Sequence, residues 1–250
     1  MVNRFSNHEI QKIMVDAISL EYPPIAVKLV RTDEELPERF AKPKIKIRYC
    51  QLLMEAKRGH SLMLTTQDIS CPAAASAFGF TPLPEKIRSG EMLCALGLFD
   101  SKDAAAKMMG EMPRLQLGSH KAVVASPLEH AGFKPDVVVV EGKPEQIMWI
   151  SLATLYSPGG RLYFDSAVFQ ACCVDVTVIP YMTGKVNVSM GCYGCRGATD
   201  MKDDECLVGV PIALLDSVVH GLEQLSKKAI LDTRQKGVYR AYSEHIKDGE

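Results

Sequence analysis

The chain has 250 residues, of which 47% are apolar and 24% are charged, and its formal net charge is −1. These values are typical of a globular protein with a core of its own, and they exclude a strongly basic nucleic-acid-binding or membrane-surface protein. The first residues lack the apolar core of a signal peptide, and no apolar run approaches the ~20 residues that span a bilayer. We therefore expect a cytoplasmic protein that partners neither nucleic acid nor a membrane.

Apolar periodicity and turn residues predict helices and strands in alternation along the chain. In chain order, the predicted helices are 6–20, 47–57, 71–78, 102–112, 144–156 and 211–225. The predicted strands are 25–31, 61–65, 122–126, 136–142, 161–165 and 185–189. These elements predict one α+β domain over residues 1–250, with a mixed sheet, flanking helices and a polar, helical tail over 226–250.

One pattern occurs in both halves of the chain. A predicted helix carrying Gln51 or Gln146 ends at a glycine, a short predicted strand follows, and Cys71 or the vicinal pair Cys172 and Cys173 comes shortly after. The pattern suggests a degenerate internal repeat whose halves face each other across a pseudo-two-fold axis, with Cys71 and one of the pair at a central site. Residue identity between the halves is poor, and chance similarity is the alternative.

Eight cysteines are the unusual feature of the composition. In a chain without a signal peptide, they indicate metal or redox chemistry more than disulfides. The chain has one CxxC motif, Cys192 to Cys195, with neither a second CxxC nor a histidine at zinc-finger spacing. Further candidate ligands are therefore dispersed cysteines, namely Cys50, Cys71, Cys172 and Cys173.

The stretch SMGCYGCRGATD, residues 189–200, has the spacing of a metal-binding turn, in which glycine permits positive φ angles. Arg196 places positive charge beside the two thiols and lowers their pKa. A redox dithiol and two incidental thiols are the alternative interpretations. Soft thiolate ligands select zinc or iron–sulfur clusters, and four separate segments that converge on an interior favour a buried cluster over a zinc knuckle.

Polar residues beside these cysteines are candidate cofactor-binding groups. Arg48 and Gln51 flank Cys50 and either hold an anionic ligand or lie on the surface of a helix. Lys185 and Asn187 approach the CxxC motif from a predicted strand and are expected to line a pocket, and Arg196 is a candidate through its charge beside the thiols. No dinucleotide, phosphate-loop, metalloprotease or serine-hydrolase motif is present.

Four stretches, in a specific order, resemble the family catalogued as domain of unknown function 169, found in archaea and anaerobic bacteria. They are PPIAVKL, RYCQ with DISCPAAASAFGF, DVVVVEGKPEQIM, and TGKVNVSMGCYGCRG followed by GVP. The resemblance covers residues 25–225 and implies a single α+β domain without an established activity. It also implies that Cys195 is an addition to a four-cysteine site made of Cys50, Cys71, Cys172 or Cys173, and Cys192.

The sequence thus favours a cytoplasmic iron–sulfur protein, with a [4Fe–4S] cluster, that serves in redox chemistry or handles a small molecule or cofactor in anaerobic metabolism. A zinc-stabilised, non-catalytic binding module and a thiol redox protein using Cys192 and Cys195 are the alternatives. A buried CxxC that faces Cys71 favours the cluster, and an exposed one favours the dithiol. The expected partner is a small molecule or a redox protein; the reaction, catalysis itself and assembly into a homo-oligomer stay open.

Overall fold

The computed structural model describes residues 5–37 and 39–247, so residues 1–4, 38 and 248–250 of the predicted domain and tail lie outside it. The helices are α1 Asn7–Ile18, α2 Tyr49–Lys57, α3 Pro72–Ala77, α4 Glu85–Arg88, α5 Glu91–Ala95, α6 Lys102–Glu111, α7 Pro144–Leu155, a π-helix Ala171–Val178, α8 Ile179–Thr183, α9 Tyr193–Arg196, α10 Ile212–Ser226, α11 Ala229–Gln235 and α12 Gly237–Lys247. The strands are β1 Ile25–Arg31, β2 Leu62–Thr65, β3 His120–Pro127, β4 Val137–Gly142, β5 Asn187–Ser189 and β6 Cys206–Pro211. The α+β class is confirmed.

The six strands form one sheet in the order β2-β3-β1-β4-β6-β5. Neighbouring strands are antiparallel throughout, whereas we expected a mixed sheet. Parallel pairing is confined, among the described residues, to isolated bridges of Ala41 with Leu62 and of Ile47 with Ile69.

Both faces of the sheet are covered, which explains why its strands read as continuous apolar runs. On β1, Ile25 and Val27 point to one face, and Ala26 points to the other. The first face packs against α2, α3, α6 and the π-helix, and it is called the cysteine face here because the cysteines of the CxxC motif also belong to its core. The opposite face packs against α1, α7 and α10.

A pseudo-two-fold axis perpendicular to the sheet relates its two halves. The strand order is unchanged when β1, β2 and β3 are exchanged with β4, β5 and β6, and β1 pairs with β4 at the centre. The register of the strands is also the same in the two halves. The first residue of β1 or β4 pairs with a proline of β3 or β6, and the first residue of β2 or β5 pairs with the residue two positions before that proline. In the first half the pairs are Ile25 with Pro127 and Leu62 with Ala125. In the second half they are Val137 with Pro211 and Asn187 with Gly209.

The helices of the cysteine face follow the same symmetry. Helix α2 connects β1 to β2 and packs on the first three strands, while the π-helix lies between β4 and β5 and packs on the last three. The two helices contact each other across the axis. The π-helix is thus the counterpart of α2, and both lie over the centre of the sheet.

The predicted repeat is therefore present, but its predicted alignment is wrong. We matched the helix of Gln51 to that of Gln146, yet α7 lies on the opposite face with α1 and α10 and is an insertion in the second half. The predicted strand 161–165 is irregular, and its Tyr163 and Phe164 side chains are exposed. The structural counterpart of β2 is β5, so Cys71 corresponds to Cys192.

Other boundaries follow the sequence closely. Strand β1 has the predicted bounds, α6 and α7 each end one residue earlier than predicted, and α10 is shifted by one residue at both ends. Strand β6 and the π-helix were not predicted. Across the described residues, no helix combines the length and the apolar character that crossing a membrane requires.

Candidate metal centre

A cavity of about 320 Å³ opens on the cysteine face between α2, α3, α5, the π-helix and α9. All six cysteines that the sequence suggested as metal ligands line it. They are Cys50, Cys71, Cys172, Cys173, Cys192 and Cys195. The structure thus brings together thiols that are up to 145 positions apart in the chain, a span that follows from Cys50 and Cys195.

Four of these thiols occupy equivalent positions in the two halves. Cys50 is the second residue of α2, and Cys172 is the second residue of the π-helix. Cys71 is the residue immediately before α3, and Cys192 is the residue immediately before α9. Because the helices are related by the pseudo-two-fold axis, each half contributes one thiol from a helix and one from the turn after its outer strand.

The CxxC motif is buried and folded back on itself. Cys192 and Cys195 are 7% and 2% exposed, respectively. The backbone N–H of Cys192 donates to Sγ of Cys195 at 3.0 Å, and the N–H of Cys195 donates to Sγ of Cys192 at 3.4 Å. Gly191, at φ 83°, permits the turn that enters the motif. Both sulfurs therefore face the cavity among backbone donors.

The π-helix places its two cysteines at the cavity floor. Gln170 precedes it with φ 53°, and Oγ1 of Thr177 donates to the carbonyl of Cys172 at 2.8 Å. The hydroxyl of the fully buried Tyr49 lies 2.9 Å from the same Thr177 oxygen, which links the π-helix to α2 beside Cys50. Wide π turns occur frequently at functional sites, and this one is fixed by a buried hydrogen bond across the axis.

The protonation of the thiols reflects their crowding. Burial, with Cys195 and Cys71 nearby, raises the pKa of Cys50 to about 12. Hydrogen bonds from Cys172 and Cys192 lower the pKa of Cys195 to about 3 and raise the pKa of both donors. Burial raises the pKa of Cys173, whose thiol lies 3.6 Å from the carbonyl of Gln170. One thiolate is stabilised by its neighbours, and ionising the rest requires positive charge in the cavity.

The thiols surround a space and do not converge on one point. Among the described residues, no group of three or more histidines, cysteines, aspartates or glutamates is arranged to hold a single metal ion. A tetrahedral zinc site requires sulfurs at about 2.3 Å from one centre. In a [4Fe–4S] cluster each of the four iron atoms is bound by a separate cysteine, so the ligands are distributed around a larger body.

The other suggested cofactor-binding residues have different surroundings. Arg48 is exposed at the mouth of the cavity, where it donates to the carbonyl of Gly194 at 3.5 Å. Gln51 donates to the carbonyl of Ala198 at 3.1 Å and connects α2 to the turn after α9. Gln51, Asn187 and Arg196 are not among the residues that line the cavity.

Asn187 and Arg196 bind backbone groups. The Asn187 amide donates to the carbonyls of Asp165 and Asp175 at 2.7 and 2.8 Å. The Arg196 guanidinium donates to three carbonyls of the segment after β5, at 2.6 to 2.9 Å: those of Met190, Lys202 and Glu205. Both side chains therefore hold the segments that carry Cys172, Cys173, Cys192 and Cys195, and the Arg196 charge also helps lower the pKa of Cys195.

Two groups of residues near the cavity were not suggested by the sequence. One is an apolar wall at α4 and α5, made of Ile87, Met92, Leu93 and Leu96. These helices are too short to show a helical pattern of apolar residues in the sequence. The other is Asp175, a buried carboxylate that accepts from the hydroxyls of Ser166 at 2.6 Å and Ser189 at 2.7 Å. Burial raises its pKa to about 6, and a lone acid in the apolar run ACCVDVTV was the signal available.

Comparisons with known proteins support the resemblance seen in the sequence. The profile of the family described as uncharacterised ArCR, domain of unknown function 169, matches residues 13–221. A relative described as an uncharacterized protein, from Methanocaldococcus jannaschii, is 30% identical over 214 residues, which cover 85% of this chain and 91% of the relative. No solved structure matches the chain significantly.

Proposed function

The chain belongs to the family of domain of unknown function 169, and we propose that it is an iron–sulfur protein whose cluster, a [4Fe–4S] cluster, occupies the cavity on the cysteine face. The proposed ligands are Cys50, Cys71, Cys172 and Cys192. The observation that carries the proposal is that these four thiols line one cavity from positions equivalent under the pseudo-two-fold axis.

The symmetry also supports four of the six thiols as the proposed ligands. Cys195 is the third residue of α9, and the third residue of α3 is Ala74; Cys173 is the third residue of the π-helix, and the third residue of α2 is Gln51. The first half therefore supplies two thiols at the positions that Cys50 and Cys71 define. A cluster on the axis takes one ligand from each equivalent position, and Cys173 and Cys195 border it.

The surroundings suit a cluster in three respects. Soft sulfur ligands match iron–sulfur chemistry. The N–H groups of Cys192 and Cys195, which point at sulfur, are the kind of donors that tune the potential of a cluster. The cavity opens to solvent beside Arg48, so that a redox protein or a small molecule can approach the centre.

In this proposal the protein is cytoplasmic and takes part in redox chemistry or small-molecule handling in anaerobic metabolism. When bound, the cluster would supply electron transfer or a Lewis-acidic iron. The chain itself contributes the buried and half-buried thiols, the backbone donors to sulfur and the apolar wall that limits the access of water to the site.

Purification without oxygen, followed by metal analysis and an absorbance spectrum, tests the proposal. We expect iron in place of zinc, and a broad absorbance band at about 400 nm that is typical of iron bound by sulfide and thiolate. Stoichiometric zinc with no visible absorbance would identify a zinc-stabilised module instead. A metal-free protein in which Cys192 and Cys195 form a reversible disulfide would identify a thiol redox protein.

A further inference from the structure

The cavity has two chemically different ends. Its inner wall carries the buried thiols together with Ile87 and Leu93, while its mouth carries Met92 and Leu96, which are 39% and 53% exposed. Tyr193, at 61% exposure, lies on the other side of the mouth. Ligand sites in proteins combine such apolar walls with a few polar groups that orient the ligand.

Arg48 is the charged residue of this mouth. The residues that line the cavity, as far as the structure describes them, include no acidic residue, lysine or histidine beside it. Its guanidinium makes one long hydrogen bond, to the carbonyl of Gly194 at 3.5 Å, and no carboxylate of the described chain lies within ion-pair distance of it. Arg58, which follows the other end of α2, instead pairs with Asp200 at 2.9 Å. Arg48 therefore keeps donors for an external partner.

Its position relative to the thiols is also defined. Arg48 is the residue immediately before α2, two positions ahead of Cys50, and both residues line the same cavity. An anionic group bound to Arg48 would thus lie at the edge of the thiol cluster, with the rest of the ligand against the apolar wall. Guanidinium groups bind carboxylates and phosphates through paired hydrogen bonds.

We propose that the mouth of the cavity binds a small organic anion, with its acidic group on Arg48 and its apolar body against Met92, Leu96 and Tyr193. The chemical role of this ligand as a substrate rests on the proposed function, because the cluster would lie at the inner end of the same cavity. Binding itself depends on the mouth alone.

Calorimetric titration of the full chain, purified without oxygen, with butyrate, hexanoate, 1-hexanol and hexylammonium tests this proposal. Hexanoate binds, and affinity rises about fourfold for each added methylene, the gain expected from burying one such group. 1-Hexanol binds about tenfold more weakly than hexanoate, because it lacks the charge-assisted hydrogen bonds. Hexylammonium binds more weakly still.

Three variants separate the contributions. Arg48→Gln weakens hexanoate binding about tenfold and leaves 1-hexanol unchanged, while Leu96→Asn weakens both ligands. Lys44→Gln, which removes an exposed cation that does not line the cavity, is the matched control and binds as the wild type does. Leu96 and Arg48 are exposed, so these substitutions leave the core intact.

Iron and sulfide are measured in the same samples, which distinguishes the two proposals. Hexanoate binding by a protein that holds no cluster supports the anion site and refutes the iron–sulfur proposal alone. Absence of hexanoate binding, equal affinity for hexylammonium, or an Arg48→Gln variant with unchanged affinity overturns the anion site. A shift in the reduction potential of Arg48→Gln without any change in affinity would likewise overturn it and identify Arg48 as a charge partner of the cluster.

Discussion

At the scale of single residues, the two cysteines of the CxxC motif differ in their relation to the rest of the fold. Cys192 has a counterpart in Cys71, because each precedes a short helix after the outer strand of its half. Cys195 has Ala74 as its counterpart and receives hydrogen bonds from Cys172 and Cys192. Spacing alone does not distinguish the two thiols, whereas in the proposed site the symmetry favours Cys192 as the ligand.

Cys192→Ala and Cys195→Ala give a direct comparison of these roles. We expect Cys192→Ala to lose most of its iron because a ligand is missing, and Cys195→Ala to keep it because alanine already occupies the equivalent position of the first half. Cys94→Ala, outside the cavity, is the control. Iron content per chain is the measurement, and equal losses in Cys192→Ala and Cys195→Ala would refute the four-ligand assignment.

His120 predicts a pH dependence that is independent of the thiols. It is 5% exposed at the start of β3, and burial and the nearby Arg31 charge lower its pKa below the usual 6.5. The unfolded chain binds the proton more tightly, so this contribution to stability is present above pH 6.5 and is lost as the pH falls from that value through the lower folded-state pKa. The folded ring is neutral, between Ser119 Oγ at 2.8 Å and the Tyr181 hydroxyl at 3.1 Å.

Urea unfolding between pH 7.5 and pH 5 measures this effect. The free energy of unfolding of the wild type should fall more steeply with acidification than that of His120→Gln, which cannot take up the proton. His245→Gln, an exposed histidine of α12, controls for removing a histidine from the chain. Parallel pH curves for the wild type and His120→Gln would contradict the prediction.

At the scale of elements, the local pattern of apolar and turn residues was sufficient to predict those segments that form a regular helix or strand. The apolar run 25–31, which follows two prolines, predicted the bounds of β1, and the helical spacing of apolar residues from Ile212 to Leu225 predicted α10 to within one residue at each end. The π-helix was not predicted, because its residues are mostly apolar and β-branched and do not show the 3.6-residue spacing of apolar positions that indicates an α-helix. Pro180, which follows it closely, also argued against a helix there. Residues 161–165 have strand-like side chains but no neighbouring strand to pair with in the described sheet.

Gly209 is the residue of β6 that permits the π-helix to approach the sheet. A Cβ atom at this position would lie 2.1 Å from the carbonyl oxygen of Val176. We expect Gly209→Ala to reduce the free energy of unfolding by about 2 kcal/mol, as overpacked core substitutions do, and to disturb Cys172 and Cys173 with the displaced helix. Chemical denaturation provides the measurement.

Gly110→Ala on α6 is the matched control for that substitution. No atom lies within 4 Å of the added methyl group there, so stability should change by less than about 1 kcal/mol, in the stabilising direction. A Gly209→Ala protein as stable as the Gly110→Ala protein would show that the π-helix does not depend on this close approach.

At the scale of the whole molecule, the symmetry explains both what the sequence predicted and what it did not. The convergence of dispersed cysteines was predicted on the premise that they bind one metal centre, since thiolate ligands without local partners then have to meet in the fold. The structure does place six of them around one cavity. The alignment of the halves was not predictable, since α7 is inserted in the second half and the π-helix replaces the α-helix of the first. Both halves share the same sheet register, but their residues differ, so the register could not be recognised by comparing the two halves of the sequence.

The two C-terminal helices, α11 and α12, contribute differently to the stability of the fold. Ile230 of α11 is buried in the core of the opposite face, while Val238, Tyr239 and Tyr242 of α12 are exposed. A chain ending at Lys236 should therefore melt within about 2 °C of the full chain, whereas one ending at Ser226 should melt about 5 °C or more lower, because the buried isoleucine is lost. Differential scanning calorimetry compares them, and equal melting temperatures for the two truncations would contradict this account.

The central claim is that the two halves jointly hold one cluster. Its most direct test is the amount of iron and acid-labile sulfide per chain in protein prepared and reconstituted without oxygen. The account predicts about four of each in the wild type, with loss of most of both in Cys50→Ala, from the first half, and equally in its counterpart Cys172→Ala. Protein that binds no iron and contains no labile sulfide after reconstitution would contradict the account.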